Sequence, residues 1–147
     1  MKRMLIAAAA VLAIGTTAAL SQSAAIGQRK EAMKSAGAAA KDTGAMMRGE
    51  AKFDLAKVQA ALKTYSDVAK KAAGLFPDDS KTGGETTVLP VIWEKKVEFT
   101  AALAKFGADA AAAAAAIKDE ATFKTELPKV MANCGGCHKT YRVPPKQ

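Results

Sequence analysis

The sequence predicts an all-α chain folded as an antiparallel up-down-up-down four-helix bundle. Apolar residues recur at three- and four-residue steps in four stretches beyond residue 25, the spacing of one buried helix face. No stretch shows the strict alternation of a half-buried strand. Two of the three connections between these stretches are short, which makes successive helices antiparallel neighbours.

The chain opens with Lys2 and Arg3, then an apolar run from Met4 to Leu20, then Ser21-Gln22-Ser23-Ala24-Ala25. That order is a secretory signal peptide, assigned to residues 1–25. The run is short for a spanning helix and is broken by Gly15, Thr16 and Thr17, so no stable membrane insertion is expected. Ala19-Leu20-Ser21, Ser21-Gln22-Ser23 and Ser23-Ala24-Ala25 all place small residues where a signal peptidase requires them. Cleavage at any of them leaves one domain, residues 26–147, in the periplasm.

In the first helix Ile26, Met33, Ala36, Ala40 and Met47 share a face, with Arg29, Lys30, Lys34 and Lys41 around it, and Gly49 ends it. In the second, Leu55, Val58, Leu62, Tyr65, Ala69 and Ala72 form the stripe and Gly74 marks the end. The segment from Phe76 to Leu89 is dense in turn residues and is the one long loop. A third helix is expected from about Pro90, with Ile92, Phe99, Leu103, Phe106, Ala110 and Ile117 inward. The alanine run within it needs no functional reading, since alanine is the best helix former. The last helix starts near Asp119 and carries Phe123, Leu127, Val130, Cys134, His138 and Tyr141. Pro128 is expected to bend it or delay its regular start.

The full chain has 22 Lys and Arg against 14 Asp and Glu, and without Lys2 and Arg3 the balance is 20 against 14. The positive residues are interspersed with acidic ones, and an exported protein seldom meets nucleic acid, so that class of partner is excluded. A solvated basic surface and docking to acidic redox partner proteins both fit.

The chemistry lies in Cys134-Gly135-Gly136-Cys137-His138, the pattern of covalent haem c attachment. On a helix, positions 134, 137 and 138 fall on one face, so two thiols can add across the two haem vinyl groups while the imidazole reaches the iron. The expectation is one covalent haem c per chain, with Cys134 and Cys137 as anchors and His138 as an iron ligand. A thioredoxin-like disulfide would need a βαβ setting and would leave His138 without a role. A structural zinc site needs four ligands, and the chain has only three Cys and His residues.

The opposite face of the iron decides between functions. Bundle topology brings the end of the fourth helix beside the start of the first, which sets Met33 level with His138. Met46 and Met47 lie 13 and 14 residues further on, about 20 Å along the axis. Met131 shares a helix with His138. Met33 is therefore the candidate sixth ligand, although an ordinary core methionine would occupy the same stripe. Trp93 comes to the same end and serves equally as a pocket wall or as packing.

These residues resemble the class II cytochromes c, meaning cytochrome c′ and its low-spin relatives of the cytochrome c-556 type. The resemblance covers the chain beyond the signal peptide. It rests on the haem motif placed near the C-terminus and running on through Lys139-Thr140-Tyr141-Arg142, on Arg29-x-x-x-Met33, on Leu75-Phe76-Pro77, and on Ile92-Trp93. Cytochrome c′ is itself one of the bundles from which the topology rule is drawn. The resemblance implies a non-enzymatic haem protein, monomeric or homodimeric. It implies that methionine at position 33 accompanies a six-coordinate His138/Met33 iron in a periplasmic one-electron carrier. The alternative is a high-spin cytochrome c′ that binds NO or CO at an open distal face. It also places Arg29 near the haem propionates, where an arginine beside a buried face would otherwise be simply solvated.

Overall fold

The computed structural model describes residues 24–83 and 85–145 in full and, of residues 2–23, the helical backbone alone. The signal-peptide assignment falls mainly on residues outside the fully described part. The helices are α1 (Lys2–Met47), α2 (Leu55–Ala72), α3 (Val91–Glu94), α4 (Lys96–Ala116) and α5 (Glu120–Tyr141), with a 3-10 turn at Asp78–Ser80. Among the described residues the only β pairing is an isolated bridge, Val88 to Arg142.

Local chemistry sets the helix ends. α1 stops because Gly49 adopts a φ of 74°, a left-handed conformation that costs glycine least. The Gly49 N–H then donates to Met46 O at 3.1 Å and the Glu50 N–H to Ala45 O at 2.9 Å, which satisfies two of the last carbonyls of the helix. α2 is capped by Asp54, whose side chain accepts from Lys57 N at 3.1 Å. α5 is capped by Asp119 with a reciprocal box: Thr122 N donates to Asp119 Oδ1 at 2.8 Å, and Asp119 N donates to Thr122 Oγ1 at 3.1 Å.

Two sequence expectations are corrected. The third helix is broken at Lys95, whose φ of −117° and ψ of 46° separate α3 from α4. No glycine or proline causes this. Tertiary contacts do: Ile92 is buried, and Trp93 is tied to the loop by Nε1 donating to Pro77 O at 3.2 Å. Pro128 does not delay the last helix, which starts at Glu120 under its capping box and carries the proline inside it. Leu55, placed in the buried stripe of α2, is 36% exposed at the helix start.

α1 packs on α2, α2 on α4, and α4 on α5. The α2–α4 seam is tight: a Cβ at Gly107 would sit 3.2 Å from the Ala69 Cβ. The fourth side of the ring, between α1 and α5, is not closed by comparable helix packing. The core has two parts. One comprises Met46, Val58, Leu62, Tyr65, Ala110, Ile117, Phe123, Leu127 and Val130. The other comprises Ala72, Ile92, Phe99, Leu103 and Tyr141, with Cys137 packed against it. The long loop ties the second part together, because Leu89 N donates to Tyr141 O at 2.9 Å and Val143 N to Thr87 O at 2.8 Å.

Candidate functional site

The Cys-x-x-Cys-His residues occupy the last two turns of α5, where Phe123, Leu127, Val130 and Tyr141 turn one face of the helix inward. Cys134 and Cys137 follow on that face, half-buried and not in a disulfide. Burial pushes both thiols above the ordinary cysteine range, so they are held protonated. His138 is held below the usual imidazole range, first by desolvation and then by the Arg142 charge. The neutral imidazole this favours is the form that ligates a metal. A Cβ at Gly135 or Gly136 would meet nothing within 4 Å, so the outer side of the motif is open. The turn is secured from behind by Arg142 N donating to His138 O at 3.2 Å and by Tyr141 stacking edge-on to Phe99, with ring centres 5.0 Å apart.

Arg29 is not solvated: it is 6% exposed. Its Nη2 donates to Ser80 O at 3.0 Å, and its guanidinium carbon lies 4.8 Å from the centre of the Phe76 ring and 5.9 Å from that of Trp93. The other nitrogen, Nη1, is buried without a hydrogen-bond partner. Desolvation lowers the guanidinium pKa, yet the group stays charged. A buried cation with one donor unmet is costly unless an acceptor completes it.

Met33 is 44% exposed, whereas Met46 is buried in the first core cluster. The groove between α1 and α2 is lined on the α1 side by Glu31, Ala32 and Ser35. Successive residues rotate about 100° around a helix, so Met33 lies on the other flank of α1, toward the open seam with α5. Among the described residues no three His, Cys, Asp or Glu side chains converge on a metal position, which leaves the zinc alternative without its ligand set.

Sequence reasoning missed the loop's part in the site. Ser80, Pro77 and Phe76 hold Arg29 and Trp93, and the only signal for this was the Leu75-Phe76-Pro77 triplet of the family resemblance. It also missed Thr43, whose Oγ1 donates to Ala39 O at 2.9 Å and lies 3.3 Å from the Tyr65 hydroxyl, a buried polar pair inside an apolar core.

Comparison with known proteins decides the family. A family model described as Cytochrome C′ matches residues 24–142. The chain belongs to the cytochrome c′ family. It is 45% identical over 143 residues to a cytochrome c′ of Rhodopseudomonas palustris, covering 97% of this chain and 98% of that protein. It is 39% identical over 117 residues to a cytochrome c-556 of Agrobacterium fabrum, covering 79% of each. A solved Rhodopseudomonas palustris cytochrome c′ superposes with a TM-score of 0.81 at 48% identity, covering 83% of this chain and 98% of the other. As a member of the family the chain binds one haem c covalently and is a haem protein of the electron-carrying or gas-binding kind. The residues present fit that group: two free thiols one turn apart, an imidazole beside them, an unclosed seam, and a buried arginine donor lacking the acceptor that a carboxylate would supply.

Proposed function

We propose that this cytochrome c′ family member is a periplasmic one-electron carrier with a six-coordinate, low-spin haem c. Bound haem c supplies an iron that changes by one electron between its ferric and ferrous states. Cys134 and Cys137 would hold the haem through thioethers, each thiol adding across a vinyl group with its sulfur on one carbon and its proton on the other. His138 and Met33 would ligate the iron, and Arg29 Nη1 would donate to a propionate. With His138 and Met33 both holding the iron, no position would be left for a substrate, which is the reading of a carrier and not of an enzyme.

The observation that carries this reading is Met33 itself, a methionine left 44% exposed on the α1 flank that faces the open seam. A core methionine would be covered. A soft thioether favours ferrous iron and keeps the ligand set the same in both redox states.

A second reading is favoured by the 45% identity to a protein named cytochrome c′. In it Met33 stays off the iron, and the open face takes up NO or CO. Replacing Met33 by leucine separates the two with little change in packing volume. The low-spin reading expects the wild type to show low-spin absorption bands and to bind CO slowly. The Met33→Leu variant should turn high-spin, lose potential and bind CO fast. A high-spin wild type that binds CO as fast as the variant would establish the gas-binding reading instead.

The periplasmic location rests on the signal peptide. A solved variant of the Rhodopseudomonas palustris protein is altered at its first residue, a glutamine, and at a phenylalanine and a tryptophan further on. Gln22, Phe53 and Trp93 keep the same separations in this chain. That favours cleavage after Ala19-Leu20-Ser21, which N-terminal sequencing of the exported protein tests directly.

A further inference from the structure

At the cysteine end, both walls of the open seam are held by a third segment, residues 76–83 and 85–89, which runs from the end of α2 to the start of α3. On the α1 side, Ser80 O accepts from the buried Arg29 Nη2 at 3.0 Å and the Glu85 carboxylate accepts from Lys30 Nζ at 3.0 Å. On the α5 side, Thr87 O accepts from Val143 N at 2.8 Å, Leu89 N donates to Tyr141 O at 2.9 Å, and Val88 bridges to Arg142. The two grips are unequal. The hold on α5 is backbone to backbone, with Val88 packed against the cluster of Ile92, Phe99 and Tyr141. The hold on α1 runs through side chains of α1, one of them in an exposed pair that is weak in water. Away from this end, α1 and α5 meet where Met46 joins Phe123, Leu127 and Val130 in the first core cluster. The haem site lies between the two holds: Met33 falls between Arg29 and Met46 along α1, and Cys134, Cys137 and His138 fall between Val130 and Tyr141 along α5.

We infer that this segment is a strap that sets how far α1 opens from α5, and that loosening it admits exogenous ligands to the distal face of the haem. The inference rests on the haem c reading of this seam and adds to it what controls entry, whether or not Met33 holds the iron. A region held by few buried contacts opens locally at lower free energy than the fold as a whole. Releasing Arg29 from Ser80 and Lys30 from Glu85 frees that end of α1 while the cluster around Met46 stays packed, so the opening is local. Ligand size then decides the rate, because a bulky ligand needs a wider opening than a small one.

The test uses the ferrous holoprotein with two neutral iron ligands of different size, carbon monoxide and tert-butyl isocyanide. Gly83 lies between the two residues that grip α1 and has a φ of 91°, so Gly83→Ala strains the strap. Val143→Pro removes the N–H that Thr87 O accepts, and the extended Arg142, with φ −122° and ψ 140°, suits a residue before proline. Gly49→Ala, at a φ of 74° just beyond α1, imposes the same kind of strain at the opposite end and is the control. Each strap variant should speed isocyanide binding about fivefold and carbon monoxide binding less. Gly49→Ala should leave both rates at the wild-type value. Wild-type rates in both strap variants would overturn the inference. So would an equal gain from Gly49→Ala, which would mean that opening follows overall stability. An equal gain for the two ligands would place the effect on the iron's bond to Met33 rather than on entry, and would overturn it too. Failure of the haem c reading is visible separately, as a chain made with a haem-attachment system that carries no covalent haem.

Discussion

The end of the bundle at the α4–α5 turn closes on itself, whereas the end carrying the cysteines does not. At the closed end Val58, Leu62, Ile117 and Phe123 are fully buried, contributed by three helices, and Met46 of α1 completes the cluster. At the other end α1 and α5 stay apart, Met33 is exposed, two thiols lie free, and a buried arginine has a donor unmet. One region is stabilised by side chains alone. The other is built around a group that supplies the missing contacts, so protein stability and haem retention should respond separately to substitutions at the two ends.

The sharpest way to test that division is to remove the anchors. Substituting Cys134 and Cys137 together by alanine should eliminate covalent haem, read as loss of the haem mass under denaturing extraction. In the haem-free chain, amide exchange should remain slow at Val58, Leu62 and Phe123 and become fast over the last two turns of α5. Uniform protection along α5 would break the comparison.

A large effect confined to the closed end is expected from Phe123→Ala, which should cost about 3–5 kcal/mol in denaturant unfolding. The haem spectrum should not change. If the spectrum shifted with stability, the two ends would be coupled rather than separate.

A smaller effect belongs to the haem end. Arg29→Gln removes a buried positive charge; if Arg29 serves the propionate side as proposed, the reduction potential should fall and the low-spin spectrum should persist. An unaltered potential would remove Arg29 from the propionate side. The smallest effect is expected from Thr43→Val, which leaves the buried Tyr65 hydroxyl without its side-chain partner at a cost of about 1 kcal/mol. A thermal melt of the holoprotein reads it.

Much of this was present in the sequence because helices and haem attachment are encoded locally. The steps of three and four at Val58, Leu62, Tyr65 and Ala69, the helix start near Asp119 and the helix end at Gly49 each depend on a few neighbouring residues, and each appears where it was expected; the Cys134-x-x-Cys137-His138 spacing is local in the same way. Tertiary structure alone decided the break at Lys95, the burial of Arg29 against Phe76, Trp93 and Ser80, and the open seam between α1 and α5. Those features depend on segments far apart in the chain, such as the 51 residues between Arg29 and Ser80. Their energies come from desolvation and from distant packing partners, which periodicity and propensity do not register.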